Sequence, residues 1–116
     1  MAETIRFSDW QKLDLRTGKI LKIEDVEGAD KLYKLSIDLG KEIGERNLVA
    51  GIKPYYKKEQ LKEKSCIVFT NLEPRIIKGI ESQGMVLAAV LEEDGKNAKV
   101  SLLQPDAETK PGSRIR

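Results

Sequence analysis

Between Leu13 and Leu102 the hydrophobic positions mostly alternate with polar ones, which is the period of β-strands rather than helices. The clearest case is "KLYKLSIDLG", where Tyr33, Leu35, Ile37 and Leu39 share one face and Gly40 closes the run. Upstream, Leu13, Leu15 and Thr17 alternate, Gly18 interrupts, and Ile20, Leu21 and Ile23 continue on both faces. A glycine at such a phase change predicts a bulge that lets a long strand curl. "EGAD" at 27–30 is a turn, and Leu48, Ala50 and Ile52 mark a third strand. "SCIVFTNL" is a fourth strand, apolar on both faces, and Met85 to Leu91 is a fifth. The Asp94-Gly95 turn signal joins it to a sixth, marked by Ala98, Val100 and Leu102.

Two stretches read as helical. "SDWQ", Ser8 to Gln11, has the Ser-x-x-Gln form of a capping box. "PYYKKEQLKEK" opens on Pro54, suited to a first helical position, and gathers cations towards its end, where the helix dipole favours them. Tyr55, Tyr56 and Leu61 are its apolar contacts, and "KPGSRIR" ends the chain in extended form. The order of three strands, one helix and two strands predicts an all-β domain: a five-stranded Greek-key barrel of the OB type. One short helix lies between strands three and four, and a C-terminal hairpin is added. An α+β domain with an ordinary antiparallel sheet is the other arrangement this pattern permits.

One stretch does not fit a plain barrel. From Asn71 to Gly84, "NLEPRIIKGIESQG", the chain spends fourteen residues between two strands. A hairpin needs about two to five.

The 116 residues make one domain, 1–116, long enough to bury a core without metals or disulfides. Hydrophobic residues make up 40%, too many for a disordered chain. No apolar signal core follows Met1, and the longest apolar run, Met85 to Leu91, is too short to span a membrane. The expected compartment is the cytoplasm. The chain has no histidine and one cysteine, so neither a zinc site nor a Ser-His or Cys-His nucleophile can be assembled. Cys66 lies in a strand-like run and reads as a buried, inert thiol. No phosphate-binding or dinucleotide motif is present, so we expect no enzyme, no cofactor and no metal. Net charge is only +2, but residues 41–80 hold nine Lys/Arg against five Asp/Glu. A bias of that size is usually a solvated face; it becomes a polyanion site only if the fold gathers it.

Four stretches carry a family resemblance: "DLRTGKI" (Asp14–Ile20), "GADKLYKLSIDLG" (Gly28–Gly40), "LVAGIKPYY" (Leu48–Tyr56) and "NLEPRIIKGIESQGMVLAA" (Asn71–Ala89). The last is the most specific, with Asn-Leu-x-Pro-Arg, then Lys-Gly, then Glu-Ser-Gln-Gly-Met. From about Phe7 to Arg116 the chain resembles the tRNA-binding OB domain. That domain is appended to some methionyl- and phenylalanyl-tRNA synthetases, occurs in the endothelial monocyte-activating polypeptide, and also stands free. Two features depart from the pattern. Glu27-Gly28 stands where many relatives carry His-Pro, and Lys53 where a neutral residue is common.

The resemblance implies a non-catalytic protein that binds tRNA by shape, largely irrespective of sequence, in the free-standing form. Its implied partners are tRNA, a second copy of itself and a methionyl-tRNA synthetase catalytic subunit, with no membrane. The puzzling segment becomes the loop between strands four and five, which flanks an OB binding face. There Pro74 stiffens the path, and Gly79 and Gly84 permit positive φ or close approach. Arg75 and Lys78 would meet phosphates, as would Lys31, Lys34 and Lys53 from neighbouring elements. Asn71, Ser82 and Gln83 would offer polar contacts, and Met85 a soft apolar surface for an unstacked base. Six aromatics, with Trp10, Tyr33 and Phe69 expected inside, are too few to line a continuous single-strand path.

The core barrel is expected over about 12–92. Residues 1–11 and 93–116 would supply a dimer interface through Phe7, Leu102, Leu103 and Ile115, so that losing Pro111–Arg116 would spare the barrel. An export-type molecular chaperone on the same dimeric scaffold is the alternative function; its pattern diverges in the Ser-Gln-Gly-Met segment that this chain retains. A structural dimerisation subunit that never touches RNA is the third.

Overall fold

A computed structural model describes residues 2–116. The chain runs α1 (Phe7–Gln11), β1 (Leu15–Val26), β2 (Ala29–Asp38), α2 (Gly40–Ile43), β3 (Glu45–Ala50), α3 (Lys58–Leu61) and β4 (Ser65–Phe69). It continues through β5 (Arg75–Ile77), β6 (Ile80–Ser82), β7 (Met85–Val86), β8 (Ala88–Glu93) and β9 (Lys96–Leu102). Five strands form one antiparallel sheet in the order β3-β2-β1-β4-β7, while β5-β6 and β8-β9 are separate hairpins. The all-β, OB-type barrel expected from the pattern is the fold.

The sheet closes where β3 meets the chain running from β6 into β7, partly through side chains. Gln83 N–H donates to the Asn47 carbonyl (2.9 Å), and Asn47 N–H returns to Gln83 Oε1 (3.2 Å). Val49 N–H donates to Ser82 Oγ (3.0 Å). Inside lie Ile20, Leu35, Ile37, Leu39, Leu48, Leu61, Cys66 and Val68, all fully buried. The alternating face of β2 is therefore core, as its period demands. Burial pushes the Cys66 thiol up to about 12, so it stays protonated and unreactive. Among the described residues no helix is long and apolar enough to cross a membrane.

Several local expectations are corrected. Gly18 is not a bulge but sits in regular register opposite Cys66. Its role is space, since a Cβ there would lie 2.6 Å from Ile37 Cγ2. The bulges fall instead between Ile20 and Lys22 and between Asp25 and Val26, where the β1–β2 register shifts. The Ser8 capping box does not form, because α1 is capped two residues sooner than Ser8 would require, at Arg6, without a side-chain bond. The helix after Pro54 shrinks to the single turn α3. Tyr55 and Tyr56 N–H groups both turn back to the Ile52 carbonyl, and the Tyr33 hydroxyl donates to Tyr56 O (2.8 Å). The fifth strand is split at Leu87, whose N–H leaves to the Ile67 carbonyl. Tyr33 is buried, but Trp10 and Phe69 are only half-buried.

An ion cluster unseen in the sequence ties the start of β1 to α2 and the C-terminal tail. Arg16 is buried and grips Asp14 through Nε (2.8 Å) and Nη2 (3.2 Å), and Glu42 through Nη1 (3.0 Å) and Nη2 (3.2 Å). Arg114 Nε lies 3.6 Å from Asp14. The Arg16 guanidinium holds both carboxyls below their ordinary range.

Candidate nucleic-acid interface

The fourteen-residue connection is itself a hairpin. Strands β5 and β6 pair Arg75 with Ser82, Ile76 with Glu81 and Ile77 with Ile80. Their two-residue turn is Lys78-Gly79, with φ of +51° and +77°. Positive φ at both positions is the twist-matched hairpin turn that favours glycine second. Arg75 and Lys78 are exposed on this hairpin, and among the described residues neither has an ion-pair partner. Gly84, at φ +133°, brings the backbone back beneath it, where a Cβ would lie 2.9 Å from the Phe69 carbonyl oxygen.

Between this hairpin and the end of β3 runs a groove of about 250 Å³. Val49 to Ile52 form one side, Arg75 and Ile77 the other, and Met85 and Val86 part of the remaining wall. Met85 is 45% exposed, so its thioether belongs to the groove and not to the core.

The remaining expected contacts divide. Lys31 is exposed and, among the described residues, has no ion pair. Lys53 donates its backbone N–H to the Lys31 carbonyl (3.3 Å), so the two share a neighbourhood beside the groove. Its ammonium is held by Asp25 (3.0 Å) and lies 5.9 Å from the Tyr33 ring centroid. Asp25 also holds Lys58 (2.9 Å), and Lys34 stands 3.9 Å from Glu24. The two ammoniums depress Asp25, chiefly through their hydrogen bonds, with that of Lys58 the larger. Lys34 and Lys53 would therefore have to exchange a carboxylate for a phosphate.

Asn71 spends both ends of its amide on the chain before β1. Its Oδ1 accepts from Asp14 N–H (2.8 Å) and its Nδ2 donates to the Lys12 carbonyl (2.7 Å). Ser82 is buried; its hydroxyl accepts from Val49 and donates to the Gly84 carbonyl (3.2 Å). Together with Gln83 these residues position the hairpin. Pro74 is exposed on the way into it, and Gly79 stands in open space at its turn. Sequence reasoning overlooked the Glu24-Asp25 pair and Arg46, whose Nη1 donates to the Thr70 carbonyl (2.6 Å) at the exit of β4. The acidic pair was visible in the sequence; its partners were not.

Phe7, Trp10, Leu13 and Ile115 line a second cavity of about 280 Å³ with Arg114 and Arg116. Phe7 is 70% exposed and Leu103 is 42% exposed. Leu102 is corrected: it is buried in its own core and presents nothing to a partner.

A closed five-stranded barrel with a cation-rimmed groove beside its fourth-to-fifth-strand connection is a nucleic-acid-binding domain of the OB class. The chain belongs to the family described as "Putative tRNA binding domain", which it matches over residues 15–114. It is 53% identical over 114 residues to the methionine–tRNA ligase of Pyrococcus horikoshii, and 48% identical over 112 residues to that of Methanosarcina mazei. These matches cover 98% and 97% of this chain but only 15% of either relative. Among solved structures it resembles a MetRS-related protein from Pyrococcus horikoshii, with TM-score 0.86 and 34% identity, covering 99% of this chain and all of that one. It also resembles the CsaA chaperone protein from Picrophilus torridus, with TM-score 0.86 and 36% identity, covering 97% of this chain and all of that one.

Proposed function

We propose that this chain binds tRNA, without catalysing a reaction, through the face framed by the β5–β6 hairpin, the end of β3 and Lys31. The observation that carries the reading is the pair Arg75 and Lys78, exposed and, among the described residues, in no ion pair, on a hairpin that Ser82 and Gln83 lock to the barrel. Fixed, unpaired cations beside a groove suit a polyanion of defined shape. On this reading Lys31, Arg75 and Lys78 meet phosphates directly, and Lys34 and Lys53 follow by releasing Glu24 and Asp25. Ser82, Gln83 and Asn71 act by holding the frame.

The chain serves a methionyl-tRNA synthetase catalytic unit in the cytoplasm, joined to it or acting in trans. Roughly three to five phosphate contacts predict that log K against log salt for total tRNA slopes at about −2 to −4. A gel-shift series across salt, with an unfolded polypeptide as competitor, tests this. Salt-insensitive binding that the polypeptide displaces would favour the chaperone reading, which rests on the apolar groove and the likeness to CsaA.

The exposed Phe7 and Leu103 and the terminal cavity fit a two-fold homodimer, burying more than about 1,000 Å² in all. Sedimentation should give twice the 13.1 kDa chain mass at micromolar concentration; a monomer would end this part of the proposal.

A further inference from the structure

We infer that the Glu24-Asp25 pair at the end of β1 is a built-in competitor for the RNA backbone, one that a folded RNA displaces and a flexible polyanion does not. This deepens the tRNA-binding reading and rests on it. The cations of the proposed face fall into two sets. Lys31, Arg75 and Lys78 are exposed and, among the described residues, in no ion pair. Lys22, Lys34, Lys53 and Lys58 are all engaged by the same two carboxylates. Glu24 holds Lys22 (2.9 Å) with Lys34 at 3.9 Å, and Asp25 holds Lys53 (3.0 Å) and Lys58 (2.9 Å).

Strand register carries this masked set to the groove. Glu24 stands opposite Lys34 on β2, and Lys34 opposite Val49 on β3. Directly opposed residues share a face of the sheet, so Glu24, Lys34 and Val49 form one row, and Val49 lines the groove. Asp25 takes the next position, exposed at the register shift before Val26, and reaches Lys53 after β3 and Lys58 on α3. Glu24 is held below its ordinary range chiefly by Lys22, its nearest ammonium, and the charges of Lys34 and Lys58 add to this. The two carboxylates and four ammoniums therefore form one network. Pairs this exposed do little for the fold, since each is worth at most about a factor of five in an equilibrium constant. What they change is the surface offered to an anion.

That change falls unequally on different ligands. A lysine already on a carboxylate gains from a phosphate only the difference between the two bonds. A folded RNA brings its phosphates at fixed spacing. Docked on Lys31, Arg75 and Lys78, it holds further phosphates beside Lys34 and Lys53, so the exchange needs no more ordering. A flexible strand must order each nucleotide it places, and so small a difference does not repay that cost. It stays on the three free cations.

The test measures binding of labelled total tRNA and of poly(U), across salt, to wild type, Asp25→Asn, Glu24→Gln and a control, Glu27→Gln. Glu27 is exposed and, among the described residues, in no ion pair, so its loss removes the same charge without freeing a lysine. Asp25→Asn should tighten tRNA by about two- to five-fold with an unchanged salt slope, because the same phosphates are met at lower cost. It should tighten poly(U) by about ten-fold at about 0.15 M salt and steepen its slope by about 1.4, for two freed lysines at about 0.7 each on a single strand. Lys58→Met on the Asp25→Asn background should reverse about half of that steepening. Glu24→Gln, which frees Lys22 and Lys34, should show the same split between the two RNAs, and it carries the test if the register shift does not accept asparagine. Glu27→Gln should tighten both RNAs alike and leave both slopes unchanged. Equal gains for tRNA and poly(U) in Asp25→Asn and Glu24→Gln, matching those in Glu27→Gln, would reduce the pair to background charge and overturn the inference while the tRNA reading stands. Weaker tRNA binding by either variant would mean that the carboxylates position the lysines, which overturns it too. Wild type that binds no tRNA sinks both.

Discussion

The double variant Arg75→Ala/Lys78→Ala should bind tRNA about thirty-fold more weakly than wild type near 0.15 M salt, with its salt slope flattened by about two. Each phosphate contact displaces a counterion and contributes roughly 0.9 to the slope, so two lost contacts account for both numbers. The variant should fold normally, because both side chains are exposed and neither is hydrogen-bonded among the described residues. Lys78 lies at φ +51°, but alanine also carries a Cβ, so the turn is no more strained than before. Affinity should fall alike for every tRNA, since phosphate contacts carry no sequence information. A well-folded double variant with the wild-type slope would show that the hairpin is only a connector.

How far the sequence carried this picture depends on the range of each interaction. The β2 face was legible because alternation is local, and the β8–β9 turn because Asp94-Gly95 is a two-residue signal. The β5–β6 hairpin was hidden by its shortness: three-residue strands leave too little alternation to recognise, and Lys-Gly is a less familiar turn than Asn-Gly. Ser82 and Gln83 were read as ligand contacts because short polar residues between glycines look free. Only barrel closure brings Val49 and Asn47 within their reach. The neutralisation of Lys34 and Lys53 depends on the β1–β2 register that sets Glu24 opposite Lys34. The Arg16 cluster joins residues up to 100 positions apart, Asp14 and Arg114, and no local pattern encodes that. What survived unaided was the pairing of exposed Arg75 and Lys78 with a glycine turn, which is local.

Removing Pro111–Arg116 should destabilise the barrel itself by about 3–5 kcal/mol, against the 5–15 kcal/mol typical of a whole domain. The sequence suggested a dispensable terminal extension, but in the structure the tail lies along the first half of β1 as an extra edge. Thr17 N–H donates to the Ser113 carbonyl (2.9 Å), Gly112 N–H to the Thr17 carbonyl (2.8 Å), and Ile115 N–H to the Leu15 carbonyl (2.8 Å). The Ser113 N–H also donates to the Thr17 hydroxyl (3.2 Å). At roughly 1 kcal/mol net for each backbone bond, these alone reach about 3, and exposing buried Leu15 adds to that. The fit leaves no slack. A Cβ on Gly40 would lie 2.4 Å from the Pro111 carbonyl oxygen, and one on Gly112, at φ +91°, would lie 2.6 Å from that of Leu39. Gly112→Ala should therefore reproduce part of the loss without shortening the chain. Urea titrations at several protein concentrations separate the two roles of the tail, because a partner stabilises by mass action while an internal edge does not. We expect the deletion to lower the midpoint at every concentration. A midpoint that differs from wild type only where wild type is a dimer would mean that the tail serves the partner alone.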